Sequence, residues 1–365
     1  MAKIGILDAD LLDNGTRHPN LCCLKLSGYH KEQNDEVRLI EHWDEVAYHA
    51  DEFDHIYVAR VFDFTKIPFD LNAFPNLEYG GTGFHFGFWN EVPHLPDEVE
   101  HHMPDYHLYD QYIAKEIARG IKPNKFNDYI DYSIGFATRG CFRGCKFCVN
   151  QYSKGVKFHS HISEWLDKSR KYIYLWDDNI LGYPKWEEVF DELEATGKRF
   201  QFRQGMDIRI MTDRKAERLS QAKYHGDYIF AFDHPEEVIE IERGLNCWRK
   251  YNSSITKLYV LCGWDSQDAE DIERTFFRIK VLMKHKCLPY IMRHELYHNS
   301  KYRGTYINLA RWCNQPNFFK KKSYREFCEA NGENSSTLRY AREFEHDYPE
   351  IAKMYYDIKW EDFRS

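Results

Sequence analysis

Residues 140–148 read Gly-Cys-Phe-Arg-Gly-Cys-Lys-Phe-Cys, and they hold three of the chain's ten cysteines. Cys141, Cys145 and Cys148 therefore have the spacing Cys-x3-Cys-x2-Cys. Three thiolates on so short a loop can bind three irons of one cubic iron–sulfur cluster and leave the fourth iron without a protein ligand. An open iron can bind a substrate or cofactor directly, as the open position of a catalytic zinc does. The motif predicts a [4Fe-4S] centre.

A zinc site and a chance group of thiols are the alternatives for these cysteines. A structural zinc site needs four ligands, and the sequence has no second Cys-x2-Cys pair. His159 and His161 leave a Cys3His zinc site as the stronger of the two alternatives. A chance group of buried thiols is disfavoured, because Arg143 and Lys146 lie in the same stretch and a hydrophobic core would reject them.

The cysteines follow the first of six strand-like segments between residues 131 and 295. These segments are Ser133–Thr138, Tyr172–Trp176, Phe200–Phe202, Tyr228–Phe232, Leu258–Leu261 and Leu288–Met292. Helical patterns separate them, notably over Pro184–Thr196 and Asp268–His285, and the pattern Asp233-x-x-Glu236 predicts a further helix start. Six consecutive β/α units favour a partial (β/α)6, TIM-like parallel barrel, and a second doubly wound sheet is the alternative.

Residues 1–85 form another alternating series. Strand-like segments at Lys3–Leu7, Glu36–Ile40, His55–Ala59 and Leu77–Tyr79 and a helical pattern over Pro19–Lys31 predict a Rossmann-like parallel sheet. Residues 86–130 are interpreted as a connector that packs on both neighbours, with one helix over Leu108–Arg119. Residues 296–365 are interpreted as a helical or irregular extension. The predicted fold class is α/β throughout.

The cysteine stretch resembles the radical S-adenosylmethionine (SAM) superfamily. That family combines Cys-x3-Cys-x2-Cys with an aromatic residue before the last cysteine, which Phe147 supplies, and the resemblance spans about residues 131–295. It implies that Cys141, Cys145 and Cys148 bind the cluster and that SAM chelates the open iron. It also implies reductive cleavage of SAM to a 5′-deoxyadenosyl radical, which abstracts hydrogen from a substrate.

The resemblance implies a SAM pocket at the carboxyl ends of the strands. Many family members carry Gly-Gly-Glu after the second strand for the methionine amino group, whereas this chain has Asp177-Asp178-Asn179. Asp177 or Asp178 is the expected ammonium partner, with a solvated loop or helix cap as the alternative. Further expected contacts to SAM or substrate are Gln204, Asp207, Arg209 and Gly263. Surface salt bridges and a plain strand–helix turn are the alternatives for these positions.

The N-terminal sheet resembles the domain that precedes the barrel in the cobalamin-binding branch of the family. A glycine-rich turn at Gly80, Gly81 and Gly83 follows its last strand and would let a ligand approach the backbone closely. The cobalamin signature Asp-x-His-x-x-Gly is absent. A scaffolding domain is therefore the favoured interpretation, and cobalamin binding is the alternative.

The composition limits the partners. Lys plus Arg number 50 against 58 Asp plus Glu, and the net charge of −8 argues against a protein that coats bulk nucleic acid. Residues 299–325 hold seven basic residues and no acid, interleaved with aromatics. A basic helix packed on an acidic neighbour is favoured there over a nucleic-acid contact.

No apolar run nears the roughly 20 residues of a membrane helix and no secretory signal is visible, so a cytoplasmic location is expected.

The sequence thus predicts a radical SAM enzyme with a [4Fe-4S] cluster and SAM. The alternative is a non-enzymatic iron–sulfur or zinc protein with a structural or sensing role. The substrate class stays open between a small molecule, a peptide and a nucleotide, and the reaction stays open between methylation, rearrangement and dehydrogenation. The expected electron donor is a flavodoxin or ferredoxin. The absence of a further cysteine motif disfavours an accessory cluster.

Overall fold

Parallel strands followed by helices make up most of the chain. The computed structural model describes residues 1–85 and 92–363. Its strands are β1 Lys3–Asp8, β2 Glu36–Leu39, β3 His55–Ala59, β4 Leu77–Gly80, β5 Tyr132–Gly135, β6 Thr138–Arg139, β7 Lys157–Phe158, β8 Tyr172–Leu175, β9 Arg199–Phe202, β10 Tyr228–Ala231, β11 Thr256–Cys262 and β12 Leu288–Arg293.

Helices follow most of these strands. They are α1 Ala9–Asn14, α2 Leu21–Glu32, α3 Trp43–His49, α4 Asp97–Glu100, α5 Asp110–Ala118, α6 Asn127–Ile130, α7 Trp186–Ala195, α8 Asp213–Gln221, α9 Val238–Tyr251, α10 Ala269–Lys284, α11 Arg303–Cys313, α12 Pro316–Phe319, α13 Tyr324–Glu329, α14 Ser336–Asp347 and α15 Pro349–Tyr355. Within the described ranges, no helix has both the length and the apolar character needed to cross a bilayer.

The chain divides into two compact units. The first contains Met1–Asp177 and Glu187–Phe200, and the second contains Asp178–Trp186 and Gln201–Ser365. The boundaries expected at residues 85, 130 and 295 remain predictions. The mixed α/β class with parallel sheets is confirmed in both units.

The first unit begins with the expected parallel sheet, in the order β2-β1-β3-β4. Ile4 of β1 is in register with Val37 of β2 and His55 of β3, and Ile56 is in register with Leu77 of β4. Strand β1 is central, which explains why its residues 4–8 are all buried.

The connector packs as expected within this unit, where residues 92–130 are described and residues 86–91 lie outside the described part. Val99, Tyr109 and Ile113 share one hydrophobic core with Ile4 and Ile6 of the sheet. On its other side, the hydroxyl of Tyr106 accepts from the Ile134 amide of β5 at 2.8 Å and donates to the Trp165 carbonyl at 2.7 Å.

The later strands form two further three-stranded sheets with the orders β5-β8-β9 and β10-β11-β12. Both contain parallel pairs, such as β5 with β8 and β11 with β12. The segment Ser133–Thr138 is not one strand, because Phe136 and Ala137 interrupt it and β6 then pairs antiparallel with β7. The C-terminal extension is helical, from α11 to α15.

Candidate functional site

The three cysteines lie on a loop that a short antiparallel ribbon closes. Strands β6 and β7 pair through Thr138 with Phe158 and Arg139 with Lys157, and residues 140–156 connect them. The loop follows the carboxyl end of β5. We call residues 139–158 the cysteine loop.

Hydrogen bonds across its base brace the cysteine loop. The Cys141 amide donates to Ser153 Oγ at 3.1 Å, and that hydroxyl donates to the Gly155 carbonyl at 3.1 Å. Gly140 has φ +93°, and a Cβ there would lie 2.4 Å from the Gly155 oxygen and 2.5 Å from Ser153 Oγ. Only glycine adopts this positive φ readily and also has no Cβ to clash with Gly155 and Ser153. The hydrogen-bonded base of the loop therefore requires glycine before Cys141.

The thiols themselves suit an iron–sulfur cluster. All three are half-buried, and the loop makes a turn in which the Cys148 amide donates to the Cys145 carbonyl at 3.0 Å. The Arg143 amide donates to Cys141 Sγ and the Asn150 amide to Cys148 Sγ, each at 3.5 Å. Amide bonds to sulfur stabilise thiolate charge and tune the potential of iron–sulfur clusters. The residues therefore fit such a group.

The other seven cysteines have a different character. Burial is the largest cause that raises the pKa of each, to about 12 for Cys22, Cys262 and Cys328, to about 11 for Cys287, and upward for Cys23, Cys247 and Cys313. These groups stay protonated thiols, whereas a metal ligand must be a thiolate.

The histidines of the zinc alternative have other partners. His159 Nε2 lies 3.1 Å from Glu100 Oε1, and His161 Nδ1 lies 2.7 Å from Glu192 Oε1. The hydrogen bond and charge of Glu192 raise the pKa of His161. Among the described residues, no three His, Cys, Asp or Glu side chains converge on one metal-ion position. The ligands of a cubic cluster bind separate irons and need no such convergence.

Asp177 holds the start of the cysteine loop. It follows β8, is 2% exposed, and accepts from the Ala137 amide at 3.2 Å. Its other oxygen accepts from the Thr138 amide and from Thr138 Oγ1, each at 2.6 Å. The carboxylate thus fixes the two residues that lead from β5 into the ribbon. Its expected role toward SAM remains a prediction.

Two of the other predicted contacts pair with each other in the second unit. Asp207 is buried, accepts from the Arg209 amide at 3.2 Å and binds Arg209 Nε at 2.7 Å. Arg209 also pairs with Glu237. Burial would lower the pKa of Arg209, but the hydrogen bond and charge of Asp207, with Glu237, raise it overall. Asp207 and Arg209 thus form an ion pair that is largely buried, and the expected contact of either residue with SAM or substrate stays a prediction.

The remaining predicted contacts lie elsewhere in the second unit. Gly263 follows β11 with φ +74°, and its amide donates to Asp271 Oδ2 at 2.7 Å. A Cβ at Gly263 would lie 2.9 Å from the Cβ of Tyr297, so packing against that residue also requires glycine. Gln204 is exposed and Asp178 half-buried. A role toward SAM for these positions stays a prediction.

The glycine turn after β4 is explained in part by the first unit's own packing. A Cβ at Gly81, where φ is +111°, would lie 2.3 Å from the Arg60 carbonyl oxygen. A Cβ at Gly83 would lie 2.7 Å from the Phe62 carbonyl oxygen, whereas Gly80 has nothing within 4 Å of that position. Gly80 is therefore the one glycine of the three whose missing side chain is not explained by contact with the residues that the structure describes.

The basic segment 299–325 has packing contacts of the kind that its favoured interpretation expects. Its aromatic residues Tyr302, Tyr306, Trp312, Phe319 and Tyr324 are buried. Lys301 binds Asp347 at 2.6 Å, and Arg325 binds Glu345 at 2.9 Å through two nitrogens. Buried rings cannot stack on bases, so these five aromatic residues serve the core, whereas Phe318 is exposed.

Sequence reasoning missed the residues that brace the cysteine loop. Ser153 and Thr138 carry no motif of their own. The signal that could have found Ser153 is local, since a serine and Gly155 follow the last cysteine within the same loop. Thr138 is found only by its contact with Asp177, 39 residues away.

Comparison with known proteins supports the fold. No family model and no curated protein sequence matches the chain. A structure of the radical S-adenosylmethionine methyltransferase TsrM from Kitasatospora setae, with cobalamin and a [4Fe-4S] cluster bound, matches with a TM-score of 0.53. The match covers 80% of this chain and 72% of that chain at 11% identity.

A second structure of the same enzyme, with tryptophan substrate and a SAM analogue (aza-SAM) bound, gives a TM-score of 0.51. It covers 80% of this chain and 73% of that chain at 11% identity. At this identity the likeness shows the fold alone. Over the matched residues the chain shares the mixed α/β fold of that enzyme, and the expected N-terminal parallel sheet is confirmed.

Proposed function

We propose that this protein is a radical SAM enzyme. The observation that carries the proposal is the braced loop of three half-buried thiols, two of which accept amide hydrogen bonds. Its presence in a chain with the fold of a radical SAM methyltransferase supports the same conclusion.

In this proposal each part of the chain has a defined task. Cys141, Cys145 and Cys148 hold a [4Fe-4S] cluster. When bound, the cluster supplies one electron to the sulfonium of SAM, which then splits into methionine and a 5′-deoxyadenosyl radical for hydrogen abstraction. Asp177 keeps the loop in place, and Asp178 accepts from the methionine ammonium, because the oxygens of Asp177 already accept three protein donors.

The proposal extends to the remaining predicted residues. Strands β5, β8, β9, β10, β11 and β12 would supply the six strands of a partial barrel. Phe147, Gln204, Asp207, Arg209 and Gly263 would serve the SAM or substrate site. A small molecule is the proposed class of substrate, because the similar structure of TsrM has tryptophan substrate bound. The electron donor would be a reduced redox protein.

The decisive experiment is a product assay on the full chain. After anaerobic reconstitution with iron and sulfide, the protein should contain about four irons per chain. With dithionite and SAM it should release 5′-deoxyadenosine slowly without substrate, since reductive cleavage needs only the open iron. An intact, reducible cluster that binds SAM and yields no 5′-deoxyadenosine would instead establish the non-enzymatic iron–sulfur alternative.

Cobalamin-dependent methyl transfer is a second candidate, because an apolar patch lies beside the glycine turn. Val61, Phe62, Phe64 and Tyr79 are between 37% and 65% exposed. The Val61 amide donates to Asp10 at 2.7 Å, which holds this loop at the carboxyl edge of the sheet. Apolar side chains at that edge, with the open space at Gly80, suit a flat corrin ring.

Replacing Gly80 tests this second candidate. If a corrin lies on the patch, the reconstituted protein should retain hydroxocobalamin through gel filtration, and Gly80→Trp should abolish retention by filling the open space. Gly80 is a sharper position than Gly81 or Gly83, where any side chain would disturb the backbone near Arg60. Cobalamin-dependent methylation also yields S-adenosylhomocysteine. A protein fraction that has no corrin absorbance and forms 5′-deoxyadenosine alone would leave the domain as a scaffold.

A further inference from the structure

We propose that Tyr306 is a positioning residue for SAM binding, which acts through the buried carboxylate of Asp271 on the turn at Gly263. The inference rests on the proposed function, in which this turn serves the SAM site. It adds that helix α11 of the C-terminal extension takes part in SAM binding through a buried phenol.

The first argument is the place of the turn in the second unit. Strand β11 is the middle strand of the sheet β10-β11-β12, and Gly263 directly follows its carboxyl end. Parallel β/α folds bind their ligands at the carboxyl ends of the strands. The next residue, Trp264, is half-buried, and its ring lies edge-on to that of His294 with 4.6 Å between the ring centroids. The turn therefore lies at the edge where a fold of this kind binds its ligand.

The second argument is that one carboxylate oxygen joins the turn to the extension. Oδ2 of Asp271 accepts from the Gly263 amide at 2.7 Å and from the Tyr306 hydroxyl at 2.8 Å. Asp271 is 7% exposed and Tyr306 is fully buried, so water competes little for either bond. The phenol of α11 thus orients the carboxylate that holds the turn.

The third argument is that the neighbouring carbonyl groups are held from elsewhere. Nη1 of Arg278 donates to the Leu261 carbonyl at 2.8 Å, just before the turn. Nε2 of Gln267 lies 3.2 Å from the carbonyl oxygens of Gly263 and Trp264 and donates to both. Both of these side chains belong to the segment between β11 and β12. The Gly263 amide is therefore the point at which the extension acts on the turn.

The charge state of Asp271 gives this contact a pH signature. Burial raises the pKa of Asp271, whereas the hydrogen bonds from Gly263 and Tyr306 and the charges of Arg278 and Arg274 lower it. A protonated carboxyl group is a weaker acceptor than a carboxylate. Loss of the Tyr306 hydroxyl removes one of the stabilising bonds, so the pKa of Asp271 should rise and its hold on the turn should weaken at a higher pH.

The other ionisable neighbours of Tyr306 do not supply this signature. Burial and the charge of Asp271 raise the pKa of Tyr306, so its hydroxyl stays protonated and donates. Cys262 and Asp268 are the further groups that face it. Burial raises the pKa of Cys262 to about 12, so this thiol stays neutral, and the Asp268 carboxylate caps α10 at the surface.

Two tyrosine variants provide the test in the full-length reconstituted protein. Tyr306→Phe removes the hydroxyl and keeps the ring. The matched control is Tyr302→Phe, since Tyr302 is also buried, also lies in the extension, and donates to Asp347 Oδ2 at 2.7 Å. The affinity for SAM is measured by equilibrium dialysis with the cluster oxidised, so that SAM is not consumed, between about pH 6 and pH 8. Iron content and chemical denaturation are measured on the same samples.

We expect Tyr306→Phe to weaken SAM binding about tenfold at neutral pH, in line with the loss of a hydrogen bond to a charged group. Its affinity should also begin to fall at a higher pH than that of the wild type as the solution is acidified. Tyr302→Phe should lose a similar amount of stability and keep the wild-type affinity. Combining Tyr306→Phe with Asp271→Asn should remove the pH dependence, because an amide does not titrate. Iron content should be unchanged throughout, since the three cysteines lie in the other unit.

Several results would overturn the inference. Wild-type affinity in Tyr306→Phe would exclude the role of this residue, and an equal loss in Tyr302→Phe would show only a general effect of the extension. A weaker affinity without the shift in its pH dependence, or a pH dependence that persists in the double variant, would show that Tyr306 does not act through Asp271. A wild-type protein that contains the complete cluster and binds no SAM would refute the proposed function itself, which separates the two failures.

Discussion

Replacing Cys141, Cys145 and Cys148 together by serine is expected to remove the bound iron and all formation of 5′-deoxyadenosine. Thiolates are the ligands that hold iron–sulfur clusters, and serine offers no thiolate. Each single substitution should leave at most a small, unstable fraction of the iron. Iron content and the visible absorption of thiolate-bound iron after anaerobic reconstitution provide the measurement.

Cys247→Ser is the matched control for this prediction. Cys247 is also half-buried, but it lies outside the loop and its thiol contacts Asp213 at 3.6 Å, a contact that a hydroxyl can replace. Its variant should keep the full iron content and activity. Full iron in the triple variant would show that the ligand assignment is wrong.

Asp177→Ala is expected to lower both the free energy of unfolding and the iron content. The substitution leaves the buried amides of Ala137 and Thr138 and the Thr138 hydroxyl without their acceptor. Each unsatisfied buried donor costs about 1–3 kcal/mol, so a loss of at least about 3 kcal/mol is expected for the three. Chemical denaturation of the protein before reconstitution and iron analysis afterwards measure the two effects.

The neighbouring positions separate anchoring from SAM binding. Thr138→Ser keeps the hydroxyl and should retain both stability and iron. Asp178→Ala should retain iron but weaken SAM binding about ten- to a hundredfold, the value of a charge-assisted hydrogen bond of about 1.5–3 kcal/mol. If Asp177→Ala keeps its iron and stability and instead loses SAM affinity, then Asp177 is the ammonium partner.

The sequence predicted those parts of the fold that depend on local patterns. The strand His55–Ala59 has the bounds that its sequence indicates, and the helical pattern over Asp268–His285 corresponds to α10. Asp268 caps this helix, and its side chain accepts from the Glu270 amide at 3.0 Å. The cysteine spacing likewise pointed to the loop, because three cysteines and an aromatic residue lie within eight positions.

The sequence did not predict the features that depend on contacts between residues far apart in the chain. The predicted capping role of Asp233 is wrong, because that carboxylate instead accepts from the Leu261 amide at 3.1 Å. A 3-10 turn over Pro235–Glu237 leads into the helix at Val238. The prediction of one strand over Ser133–Thr138 failed because Ser160 Oγ donates to the Phe136 carbonyl at 2.6 Å, where the chain turns from β5 into the ribbon. Local periodicity contains no information about either partner.

Residues 92–130 share a hydrophobic core with the N-terminal sheet, so neither part of the first unit is structurally independent of the other. Val99, Tyr109 and Ile113 complete the core under β1, while Tyr106 ties the same segment to β5. Deleting residues 1–85 would expose the apolar side of this segment, and deleting residues 92–130 would open the sheet core. The N-terminal sheet is therefore not an interchangeable module. The fold of the first unit requires this sheet whether or not the sheet binds a ligand.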